Sequence, residues 1–128
     1  MNRFIRIIIL MTAVTAAAGG CRQTEKAGPE AVVEAAFQAV KTAGELIDMR
    51  KQQGTHPRSG ATDVLPLIPI SGISLQECAE LARSLAGRIY GELGIPCYCY
   101  EAAAFKMARK NLAVCRSGEY EALPQKIS

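Results

Sequence analysis

The sequence predicts an α+β fold, an α/β sandwich in which helices pack on one face of a small mixed sheet. Three observations carry this. Two stretches repeat apolar residues at helical spacing, two short apolar runs read as strands, and the four alternate as helix, strand, helix, strand. With 128 residues, 49% of them apolar, the chain holds material for one compact domain. Two strands do not make an independently stable sheet, so further strands are expected to be missing or to come from a partner.

The first helix is expected over about residues 29–50. Pro29 suits a first turn, and Glu30 and Glu34 complement the positive end of the helix. Val33, Phe37, Val40, Gly44 and Ile47 form its apolar face. Residues 51–60 make a polar loop with two glycines and a proline. Residues 63–70 read as a strand whose two prolines, Pro66 and Pro69, each remove a ladder donor, which points to an edge or an irregular pairing. Ser74 and Glu77 have the spacing of a capping box. Behind them Cys78, Leu81, Ala82, Leu85, Ile89 and Leu93 line one face of a second helix, with Gly94 as its C-cap and Pro96 beyond. Residues 97–100 read as a second strand, residues 101–114 as weakly helical, and residues 116–121 as a polar loop or short helix. Leu123 and Pro124 are expected to end the ordered part.

Residues 1–28 are expected to lie outside this fold, as a leader. Arg3 and Arg6 precede an apolar run, and small residues then lead to Cys21, the layout of an export signal. On that reading Cys21 is a candidate lipidation site, with Ala18 where such signals usually carry Leu. The competing reading is that this segment is not native coding sequence. The run is short for a membrane-spanning helix.

The net charge of +3 is modest, and much of the excess sits in Arg3, Arg6, Arg22 and Lys26. There is no basic stripe interleaved with aromatics, so nucleic acid is not an expected partner. Five cysteines and a single histidine, without a Cys-x-x-Cys pair, argue against a zinc site, and no metal is expected. Cys97 and Cys99, two apart in an apolar run, are expected on opposite faces of their strand and buried as small hydrophobes.

Chemistry concentrates in the loop. His56 is the only histidine, and an imidazole titrates near neutrality, which suits a general base or acid. Arg58 stands two residues on; its guanidinium matches carboxylates, with a bare surface arginine or a partner for Asp63 as the other readings. Asp63 orients His56 or Arg58, or simply opens its strand. Gly54 and Gly60 are expected to allow unusual dihedrals that shape the loop. A Ser59–His56–Asp63 triad is conceivable on composition but lacks a nucleophile elbow.

Three stretches together resemble the amino-terminal subdomain of the glutamate formiminotransferases. The first is Leu46-Ile47-Asp48-Met49-Arg50, followed by Gly54-Thr55-His56-Pro57-Arg58-Ser59-Gly60-Ala61-Thr62-Asp63-Val64. The second is Pro66-Leu67-Ile68-Pro69-Ile70-Ser71-Gly72, leading into Glu77-Cys78. The third is Arg116-Ser117-Gly118-Glu119-Tyr120-Glu121-Ala122-Leu123-Pro124. The long Gly-x-His-Pro-Arg-x-Gly-Ala-x-Asp-Val pattern is the specific part; where the family usually carries Glu before the histidine, Thr55 stands here.

The resemblance implies an incomplete N-terminal subdomain over residues 29–128. It implies transfer of the formimino group from N-formimino-L-glutamate to N5 of tetrahydrofolate in histidine degradation, with His56 as catalytic base and tetrahydrofolate as co-substrate. Arg58 and Asp63 are the candidate substrate or folate contacts. The expected setting is the cytoplasm. The expected partner is a missing C-terminal subdomain or a completing chain, with a homodimer as a further possibility and inactivity of this chain alone as a corollary. The alternative expectation is an exported, membrane-anchored lipoprotein whose domain serves as a binding module.

Overall fold

The computed structural model describes Ile7, Ile8 and residues 28–127. In chain order its elements are β1 (Ile7–Ile8), α1 (Pro29–Leu46), β2 (Thr62–Val64), α2 (Leu75–Leu93), β3 (Cys97–Tyr98), α3 (Leu112–Arg116) and α4 (Leu123–Ile127). Single 3-10 turns at Glu101–Ala103 and Met107–Arg109 lie between β3 and α3.

Both described strand pairings are parallel, in the order β2-β1-β3, where a mixed sheet is expected. Ile7 pairs with Thr62 and Cys97, and Ile8 with Val64 and Tyr98; an irregularity falls on the β2 side between the two. Residues 1–28 are therefore not wholly outside the fold, since Ile7–Ile8 form its middle strand. Cys21 lies outside the described residues.

α1 and α2 cover one side of the sheet. Phe37 and Val40 of α1 meet Leu85, Ala86 and Ile89 of α2 in a buried cluster that also takes in Ile95 and Cys99, with Cys97 packed against it. Arg88 laces the helices together: it donates to Glu34 at 2.5 Å and to Glu92 at 2.8 Å, and its guanidinium lies 3.8 Å above the Phe37 ring. A second cluster joins Tyr100 and Cys115 with Val64, Tyr98 and Leu112. Cys97 and Cys99 thus pack with the helix pair while Tyr98 and Tyr100 pack with α3. The two cysteines share a side, because side chains repeat every second residue along an extended chain. The same alternation shows that helices do not keep to one face: Leu112 and Cys115 of α3 serve the second cluster.

Departures from the expected boundaries have local causes. α1 stops at Leu46 because Asp48 takes over the backbone beyond it. Its carboxylate accepts from the Arg50 amide at 3.1 Å and from the Arg50 guanidinium at 2.8 Å, and this pairing holds its pKa down at about 2. β2 is three residues long rather than eight, since Pro66 and Pro69 cannot donate to a ladder. The segment they stiffen is fastened to α2 instead, where Cys78 Sγ donates to the Leu67 carbonyl at 3.2 Å. α2 begins on the complete Ser74–Glu77 capping box and ends on Gly94 at φ 66°, ψ 20°. Order does not end at Leu123; that residue is 2% exposed and opens α4. Lys126 of α4 donates to the Cys115 carbonyl at 3.3 Å and to the Ser117 carbonyl, placing a cation at the negative end of α3.

Candidate active site

Residues 51–60 connect α1 to β2, and their character changes midway. Residues 51–57 are exposed; the chain then turns inward, so that Arg58 is half-buried and Ser59 and Gly60 are buried. His56 stands on the exposed side of that boundary. The Pro57 ring crowds the backbone of His56 out of the α region and favours an extended conformation there.

From Pro57 onward each residue is tied down. Arg116 Nη2 donates to the Pro57 carbonyl at 3.2 Å. The Tyr120 amide donates to the Arg58 carbonyl at 2.9 Å. The Ser59 amide donates to Asp63 Oδ1 at 3.1 Å, and the other carboxylate oxygen of Asp63 accepts from Arg116 Nη2 at 2.5 Å. Two of the three stretches that resemble the transferases, far apart in the chain, therefore meet along one seam.

Arg58 crosses that seam. Its Nη2 donates to Glu121 Oε1 at 2.8 Å, its guanidinium lies 6.0 Å from the centre of the Tyr120 ring, and its Nε is buried without a partner. It lines a cavity of about 420 Å³ together with Met49, Arg50, Tyr120, Glu121 and Leu123. His56 is not among the lining residues; it precedes Arg58 by two positions and faces solvent. The turn that delivers Tyr120 and Glu121 is built from two successive left-handed residues, Gly118 at φ 73° and Glu119 at φ 53°.

The arrangement decides between the readings of three features of this loop. Asp63 orients neither His56 nor the Arg58 side chain, since its oxygens are taken by Ser59 and Arg116. Ser59 Oγ is buried with no hydrogen-bond partner while His56 is exposed, so no Ser59–His56–Asp63 triad forms. Gly54 and Gly60 do not have left-handed dihedrals; among the described glycines Gly72, Gly94 and Gly118 do. Among the described residues no group of three His, Cys, Asp or Glu side chains converges to hold a metal ion.

The family of the formiminotransferase domain, N-terminal subdomain, matches residues 10–128. The chain belongs to that family. The formiminotransferase match begins within the segment expected to be a leader. Among relatives, a glutamate formimidoyltransferase of Streptococcus pyogenes is 51% identical over 98 residues, covering 77% of this chain and 33% of that protein. The formimidoyltransferase-cyclodeaminase of Rattus norvegicus is 50% identical over 99 residues, which cover 77% of this chain and 18% of that protein. A glutamate formimidoyltransferase of Thermoplasma acidophilum is 44% identical over 97 residues, or 32% of its length. The matched stretch therefore spans a third or less of these formiminotransferases.

Arg116 and Gly118 stand in the third resembling stretch, but sequence reasoning gave them no role at this loop. The role of Arg116 carried no local signal, since its partners lie 53 and 59 residues away. Gly118 sits in a polar stretch where a glycine turn was available to be read, but its left-handed neighbour Glu119 was not.

Proposed function

We propose that the described residues supply the proton-handling and carboxylate-binding part of formimino transfer from N-formimino-L-glutamate to N5 of tetrahydrofolate. The observation that carries this reading is the placement of the chain's only imidazole. His56 projects into solvent immediately before a run of backbone that Arg116, Tyr120 and Asp63 hold still.

N5 of tetrahydrofolate attacks the formimino carbon, forming the new N–C bond and a tetrahedral intermediate. His56 accepts the N5 proton. The carbon–nitrogen bond to glutamate then breaks, and the imidazolium returns its proton to the departing nitrogen, so that no net proton is gained or lost. Both substrates carry glutamate carboxylates. Arg58, which lines the 420 Å³ cavity, is the cation suited to bind one of them. Asp63 acts on the site through Ser59 and Arg116 and does not contact substrate.

The reading includes a second subdomain that completes the site, because most of the streptococcal relative lies outside the matched stretch. It places the reaction in the cytoplasm, where reduced folates are used. Among the described residues no helix is long and apolar enough to cross a membrane.

The test is formimino transfer to tetrahydrofolate by the chain combined with the remaining length of the streptococcal relative. His56→Ala should lower kcat by about 10²–10⁴, the range of general acid–base catalysis, with KM little changed. An unaltered rate in His56→Ala excludes the base role. Turnover by the chain alone, equal to that of the combination, excludes the need for a second subdomain.

A further inference from the structure

We propose that Arg116 is the positioning residue of the His56 loop: one guanidinium nitrogen at the end of α3 grips the loop twice and sets where the imidazole stands.

The first grip is direct, from Nη2 to the Pro57 carbonyl at 3.2 Å. The second runs from the same nitrogen through Asp63 to the Ser59 amide, at 2.5 and 3.1 Å. The peptide immediately after His56 is thereby held from its carbonyl side at Pro57, while the proline ring restricts the His56 backbone itself. Two grips on residues 57 and 59 leave the segment between them little freedom, and the Tyr120 amide on the Arg58 carbonyl removes more.

Arg116 is in turn anchored. It belongs to α3, whose Cys115 packs under Tyr100, and Lys126 fastens the carbonyls on either side of it, at Cys115 and Ser117. The pair with Asp63 is half-buried, with side-chain exposures of 32% and 30%, so it is less screened than an exposed pair. Lysine would keep the charge on a more flexible stem without the pre-organised planar group, and would hold the two acceptors less firmly.

This inference rests on the reading of His56 as the base, but its test reads geometry rather than turnover. His56 is the only histidine, so one imidazole Cε1–H resonance in the intact chain reports on it alone. In Arg116→Gln the Pro57 carbonyl and Asp63 lose their shared donor, and that resonance should move from its parent position. Arg116→Gln/Asp63→Asn removes both charges and should leave the resonance displaced, because the grip on the Pro57 carbonyl stays lost. The Ser59 amide should exchange about tenfold faster in both variants, having lost its fixed acceptor or that acceptor's anchor. Arg116→Lys keeps the charge and serves if Arg116→Gln does not fold; it should show the faster Ser59 exchange with a smaller displacement of the resonance. Folded Arg116→Gln or Arg116→Lys with the parent resonance position and the parent Ser59 exchange rate overturns the proposal. These results hold or fail independently of the His56→Ala rate, so loss of the one reading is distinguishable from loss of the other.

Discussion

Gly118 occupies a position that no other residue fills without strain. Its φ of 73° belongs to the left-handed region, and a Cβ built on it would stand 2.6 Å from the Cβ of Ala122. The left-handed conformation alone costs an L-residue about 1–2 kcal/mol, and the close approach adds to that. Gly118→Ala should therefore lower the unfolding free energy by at least about 1 kcal/mol in a urea titration, and should loosen the hold of Glu121 on Arg58. A variant as stable as the parent would show that this turn relaxes freely. Gly54, by contrast, has nothing within 4 Å of a built Cβ and no positive φ. What could be read of single residues follows from the same comparison. His56 was legible because it is chemically unique in the chain. Arg116 and Gly118 were legible only as members of a resembling stretch, because their roles are set by partners that the folded chain brings near.

Elements defined by adjacent residues were the most legible. The start of α2 depends on Ser74 and Glu77 alone: the Glu77 amide donates to Ser74 Oγ at 3.2 Å, and the Ser74 amide donates to the Glu77 carboxylate at 2.8 Å. Ser74→Ala removes one half of that exchange and should cost about 1 kcal/mol, seen as a lower urea midpoint with an unchanged slope. An unchanged midpoint would mean that packing of Cys78 and Ala82 holds this end of the helix without its cap. Elements whose limits depend on distant pairing were read less well. The apolar run after Asp63 looks like a long strand, yet only Thr62–Val64 find a partner. α4 escaped notice because the burial of Leu123 and the grip of Lys126 on α3 carry no signature in residues 123–127 themselves.

Over the whole molecule, thiols and a phenol are withdrawn from water on both sides of the sheet. Burial pushes the Cys97 thiol up to about 12 from its ordinary 9.0, with the neighbouring Cys99 adding to the rise. Burial likewise raises Cys78, Cys99, Cys115 and Tyr100. The folded chain then holds protons that the unfolded chain releases. Stability from these groups is complete below about pH 9 and falls as pH rises toward about 12. Urea midpoints should decline from about pH 9 to about pH 11, and a flat profile over that interval would show the thiols to be more open to water than their packing implies. The general plan, two amphipathic helices against a small sheet, could be read from apolar spacing. The parallel sense of the sheet could not, because its middle strand lies in a segment that reads as a targeting signal.

That middle strand also bears on how the chain is made. Ile7–Ile8 leave the ribosome well before the strands that flank them, which arrive only with Thr62 and then with Cys97. Until Thr62 emerges the nascent chain carries this apolar strand with both edges open, and until Cys97 with one, and no hairpin can close them early, since parallel neighbours are never adjacent in sequence. A chaperone that shelters extended apolar segments would have its longest opportunity here, before α2 and β3 have emerged.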